Sequence, residues 1–143
     1  DPAGDVDNAE TEILSVLYYR QIVQRKSNNE IFHDQTGYWT WDPATNIITQ
    51  SLTIPRAVCV LAGGVYDDSA SEDDTTILKL AAKLGDKDWG VIQSPFMRDN
   101  ASTDAYEIDV QVSDDKLRYK STTMLSIYDR TFEHTDRNIL TRV

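Results

Sequence analysis

Between Tyr106 and Val112 the chain alternates without a break. Tyr106, Ile108, Val110 and Val112 take one parity, and Glu107, Asp109 and Gln111 take the other. A helix would scatter those apolar residues round its circumference, whereas a strand sets them on one face. A one-sided strand must belong to a sheet with one buried face, which restricts the fold at once. Asp114-Asp115 then makes a turn, and Leu117, Tyr119, Leu125 and Ile127 share a parity with Ser121 and Thr123. That face is apolar at both ends and small and polar between, the mixture expected of a wall that holds a ligand. The opposite parity of the strand carries Met124 and is the alternative inward face, since only one of the two can be interior.

The same period of two runs through most of the chain. Residues 13–25 are rich in β-branched and aromatic types, and Ser27-Asn28-Asn29 reads as a turn. Residues 31–41 follow, and residues 42–46, with Asp42, Pro43 and Asn46, close a hairpin onto 47–53. Pro55, which cannot donate to a ladder, ends that strand, and residues 56–62 run into Gly63-Gly64. Residues 67–74 form an acidic, small-residue loop that reads as a solvated run. Residues 75–84 would also suit an amphipathic helix, but the flanking loops favour a strand. Residues 94–102, with Pro95 near the start, read as a short helical turn or loop, and residues 136–142 as the last strand. Short strands and tight turns in this sequence describe an antiparallel up-and-down β-barrel in one domain, residues 1–143.

Charge and composition narrow the partners. A formal net charge of −10 disfavours a nucleic-acid backbone and an anionic membrane surface, both of which need Lys and Arg. No apolar run reaches the roughly 20 residues that span a bilayer. The single cysteine, Cys59, excludes an intrachain disulfide and suits a cytoplasmic setting. There is no phosphate-binding glycine loop, no nucleophile elbow and no paired Cys or His at zinc spacing. His33 and His134 are the only imidazoles, and either can be a surface or hydrogen-bonded residue or a ligand to iron.

Four stretches carry a family resemblance: FHDQTGYWTWD (32–42), SLTIPRAVCVLAGG (51–64), QSPFMRDN (93–100) and RTFEHTDRNILTR (130–142). Together with Leu117-x-Tyr119 and Met124, they resemble the nitrobindin-type, fatty-acid-binding-protein-like haem barrels, most closely a bacterial subgroup of them. The resemblance implies a barrel of about ten antiparallel strands holding haem b. It makes His134 the axial ligand and sets Met124 on a strand lining the pocket. Tyr119, Thr123, Ile54, Trp39 and Met97 complete the ligand-binding set that it suggests. Nitrobindins are credited with binding nitric oxide and isomerising peroxynitrite, activities that carry over only with haem.

The sequence departs from that pattern in three places. Ile54-Pro55 stands where nitrobindins have a His-Pro pair. Asp136 and Asn138 share the parity of His134, which suits a wet pocket better than a greasy slot. Nothing before Asp5 resembles the Gly-x-Trp strand that opens family members, so residues 13–25 are expected to leave an unpaired edge and to promote a homodimer. Three functions follow: a haem protein, a carrier of a fatty acid or other small apolar molecule, or a non-catalytic interaction protein in which Trp39, Trp41 and Trp89 are core. A carried carboxylate would need a local cation, and Arg20, Arg56, Arg98 and Arg118 are equal candidates.

Overall fold

In the computed structural model, which describes residues 13–70 and 74–143, nine strands form one antiparallel sheet. They are β1 (Ser15–Gln24), β2 (Ile31–Asp42), β3 (Ile47–Ile54), β4 (Val58–Val65), β5 (Thr76–Lys83), β6 (Val91–Gln93), β7 (Ala101–Val112), β8 (Lys116–Ile127) and β9 (Arg130–Thr141). One short helix, α1 (Pro95–Asn100), precedes β7, with Ser94 as its cap accepting from the Met97 amide. The order across the sheet is β1-β2-β3-β4-β5-β7-β8-β9, with β6 paired to β4 beside this path. The expectation of an all-β antiparallel fold therefore holds, and the sheet curls into a half-barrel. Its two ends approach closely enough for Gln21 on β1 to donate to the Tyr119 hydroxyl on β8 at 2.9 Å. Among the described residues β1 and β9 pair on one side only.

Strand boundaries differ from the sequence reading in two places. Gly63-Gly64 was expected to follow a strand, but both lie within β4. A side chain at Gly63 would collide with the Trp89 ring, and one at Gly64 with the Lys79 carbonyl of β5. Glycine marks close approach here, not a turn. The last strand begins at Arg130, six residues before the expected 136, and pairs with β8 without a register shift from Ile127↔Arg130 to Lys116↔Thr141. Phe132 and Glu133 look unlike strand interior only because β9 is an edge, exposed along nearly its whole length. Within residues 75–84 the chain forms the strand β5, as favoured, pairing with β7 from Thr76↔Val112 to Lys83↔Ala105. The expectation of an absent first strand concerns residues that, with 71–73 of the acidic loop, lie outside those described.

Burial concentrates on the middle of the sheet. Val58, Val60 and Ala62 of β4, Leu80 and Ala82 of β5, and Tyr106, Ile108 and Val110 of β7 form the core with Leu52 and Tyr119. Each large apolar side chain withdrawn from water there stabilises the fold by roughly 1.5–3 kcal/mol. Trp39 and Trp89 pack against this core. Trp41 does not: it is 40% exposed, at an open end of the interior. No helix among the described residues is long and apolar enough to cross a membrane.

Candidate ligand cavity

The interior face is set by register. Ser15, Leu17, Tyr19, Gln21 and Val23 of β1 stand opposite Trp41, Trp39, Gly37, Gln35 and His33 of β2. On the far wall Tyr119, Ser121 and Thr123 of β8 stand opposite Asn138, Asp136 and His134 of β9. Moving along these strands in steps of two, the side chains change from apolar to polar. The interior divides accordingly.

At one end a cavity of about 400 Å³ is walled by Leu17, Trp39, Trp41, Ile48, Val110 and Leu117, among others. At the other end a cavity of about 330 Å³ is walled by Gln21, His33, Gln35, Tyr119, Ser121, Thr123, His134 and Asp136, with Val23, Phe32 and Ile108 as apolar patches.

A hydrogen-bonded layer lies between them. The Tyr19 hydroxyl accepts from the side-chain amides of Gln35 at 3.2 Å and Gln50 at 3.1 Å, and donates to the Ser51 carbonyl at 3.3 Å. Tyr106 donates its hydroxyl proton to Gln50 Oε1 at 3.0 Å. Gln50 is only 2% exposed, so these partners are what make its burial tolerable. On the far wall Tyr119 accepts from Gln21 and donates to Asp136 Oδ2 at 2.8 Å. Burial pushes the Tyr19 phenol up to about 12. Burial, reinforced by the neighbouring Asp136 carboxylate, likewise pushes Tyr119 up to about 12, so both hydroxyls stay protonated donors near neutrality.

The two imidazoles face the same cavity from opposite walls, but in different states. His33 Nε2 lies 2.9 Å from Gln35 Oε1; since that oxygen can only accept, the ring donates through Nε2. His134 makes no hydrogen bond among the described residues. It is held by strand register alone, beside Thr123. An imidazole free at both nitrogens and facing a cavity is the donor that a haem iron takes. Tyr106 and Tyr119, with Val23, Phe32 and Ile108, line the cavity and supply carbon surface beside its polar groups. The residues present fit a haem group in this sense. No cluster of three metal-ligating side chains exists among the described residues.

Of the residues singled out from sequence, Tyr119, Thr123 and His134 meet on this cavity wall. Met124 does not join them: it has the opposite parity on β8, paired with Ala105 beyond a register shift in β7. Of the two parities left open, that of Tyr119 and Thr123 faces the cavity. Trp39 lines the apolar cavity, with its ring 6.3 Å from that of Tyr19. Ile54 and Met97 pack against the core, and Ile54 also borders a depression beside the polar cavity. The amides Gln21, Gln35 and Gln50 have no part in the sequence reading, which weighs His33 without setting it in this wall. Counting in twos back from Trp39 reaches Gln35 and His33, so parity alone carried the signal for those two.

Comparison with known proteins gives two findings. A family model described as "THAP4-like, heme-binding beta-barrel domain" matches residues 7–142. The crystal structure of Rv2717c from M. tuberculosis is similar with a TM-score of 0.68 at 16% identity, over 92% of this chain and 80% of that one. A likeness at that identity speaks for the fold alone. No curated protein sequence matches the chain.

Proposed function

This chain belongs to the THAP4-like, heme-binding β-barrel domain family, and from that premise we propose that it binds haem b in the polar cavity with His134 as the protein ligand to iron. The observation that carries this reading is the His134 imidazole, turned to the cavity and engaged by no other described residue. Haem held this way would supply an open iron site for a small diatomic ligand such as nitric oxide, the finer chemistry that the nitrobindin resemblance suggests. The chain's own residues have separate tasks around it. The β8–β9 register fixes where His134 points. The Gln35 bond keeps the His33 imidazole on the facing wall, where its second nitrogen is open to a ligand. Tyr119 donates its hydroxyl proton to Asp136, so that donor is committed within the wall while the carboxylate keeps its negative charge at the cavity.

Haemin titration of the purified protein tests the reading. A Soret band is expected in the wild type and in His33→Ala, and its loss in His134→Ala. A spectrum unchanged in His134→Ala, or lost only in His33→Ala, overturns the assignment.

A second reading, a carrier of a small apolar molecule without haem, is favoured by the apolar cavity with Trp39 and Trp41 in its wall. Native mass spectrometry of protein that fails to take up haemin tests it, through the mass of a carried ligand. The proposal also includes a homodimer, supported by β1 and β9 at the two ends of the sheet and by exposed Ile22, Ile139 and Leu140 along them. Sedimentation as a monomer at micromolar concentration would remove that part. The free, exposed thiol of Cys59 supports a reducing, cytoplasmic setting.

A further inference from the structure

We infer that Arg56 is the anion-docking residue at the mouth of the polar cavity, receiving a carboxylate of the ligand whose body lies inside. The inference rests on the cavity being a ligand site and adds the chemical class of what enters it.

A protein of net charge −10, with Asp136 in the cavity wall, repels an anionic ligand unless a cation stands nearby. Sequence offered four arginines as equals; the fold separates them. Arg20 is spent in a bidentate pair with Asp34, at 3.0 and 2.7 Å. Arg98 is spent the same way on Asp99, at 2.7 and 3.0 Å. Arg118 pairs in register with Ile139, on the face of β8 opposite to Tyr119 and Thr123. Arg56 has no side-chain hydrogen bond or ion pair among the described residues, and its guanidinium is exposed.

Arg56 sits in the tight β3–β4 turn, where Ala57 takes a left-handed φ of 56°. That turn is anchored, because the Arg56 amide donates to the Ile54 carbonyl at 2.7 Å and the Ser94 amide donates to the Ala57 carbonyl at 3.0 Å. Arg56, Pro55, Ile54, His33 and Phe32 bound a depression of about 510 Å³. His33 and Phe32 also belong to the wall of the polar cavity, so the two spaces share a partition. Asp34 borders the depression too, but Arg20 already neutralises it. A ligand with its body in the cavity and a carboxylate at the rim on the His33 side therefore meets one uncommitted guanidinium fork, the geometry that a carboxylate accepts in pairs.

The test compares ligands that differ only in that group, on the full chain. Haemin and haemin dimethyl ester are titrated by absorbance into wild type, Arg56→Ala, Arg56→Lys and, as a control on the other rim, Arg130→Ala. Wild type should prefer the free acid by about tenfold, the scale of one charge-assisted hydrogen bond. Arg56→Ala should erase the preference, Arg56→Lys should keep part of it, and Arg130→Ala should keep all of it. Equal binding of acid and ester by wild type, or a preference surviving in Arg56→Ala, overturns the role of Arg56 while leaving the haem reading intact. If neither porphyrin binds, the haem reading falls. Arg56 is then judged by calorimetry on dodecanoate against dodecanol: an acid preference lost in Arg56→Ala supports it, and no preference or no binding overturns it.

Discussion

The two ends of the interior are built from the same strands but on different physics. At one end Leu17, Trp39, Ile48 and Val110 meet with hardly a polar atom between them. At the other Gln21, His33, Gln35, Tyr119, Thr123, His134 and Asp136 crowd a cavity of similar size. Apolar contact is non-directional, so the first end tolerates shape changes at a cost set mainly by area. The second end depends on each donor meeting its acceptor, and a single deletion there strands a partner. Stability and specificity are thus assigned to opposite ends, with the Tyr19–Gln50–Tyr106 layer as their border.

That division can be broken by experiment. The largest effect should come from His134→Ala, which is expected to abolish the haemin spectrum while changing unfolding free energy by less than about 0.5 kcal/mol, as for an exposed residue without partners. A large stability loss in this variant would mean that the ligand end also holds the fold. Trp39→Ala should do the reverse. It should cost about 3 kcal/mol in urea unfolding, the low end for a large aromatic because Trp39 is only half-buried, and leave haemin affinity unchanged.

Tyr106→Phe probes the border itself. Removing the hydroxyl leaves Gln50 Oε1 without that donor, so a loss of about 1–3 kcal/mol is expected although no apolar contact changes. A neutral result would show that water or a rearranged amide replaces the bond. The smallest effect is on pH. Folded Tyr19 and Tyr119 titrate near 12, above the unfolded value of 10.0, so the folded state binds more protons between those values. The stability that they contribute is complete below about pH 10 and is lost as pH rises through about 12. Urea midpoints should therefore agree between about pH 7 and 9 and fall by about pH 11.5, less so in Tyr119→Phe.

The sequence reading reached one of these ends more easily than the other. Alternation from Tyr106 to Val112 and from Leu117 to Ile127 disclosed the sheet and its inward parity choices, because burial on one face leaves a period that survives in a single sequence. Asp136 was legible as a wet-pocket residue for the same reason, once counted from His134. What stayed hidden depends on pairing across long separations. Nothing local marks His33 as facing His134, since that meeting is made by the curl of the whole sheet. Gln50 looks like an ordinary solvent-facing strand residue until Tyr19 and Tyr106 are brought to it. The ranking of the arginines was hidden too, because Asp34 and Asp99 had first to be seen holding two of them. Gly63-Gly64 misled because a glycine pair signals a turn far more often than the passage of an indole ring.

The order of pairing has a consequence for how the chain reaches this state. Nearly every ladder joins strands adjacent in sequence; β4–β6 skips β5, and β5–β7 skips β6 and α1. Each step of assembly therefore closes a short loop, and no step among the described residues must bring the first strand to the last. For an all-β protein this lowers the mean sequence separation of contacts, so folding should be fast for its class. The wall formed by β4, β5 and β7 can assemble before β1 or β9 has found its place. Stopped-flow refolding should then show Trp89, half-buried beside Gly63, reporting early, and the amides of β9 should be the last to gain protection from exchange.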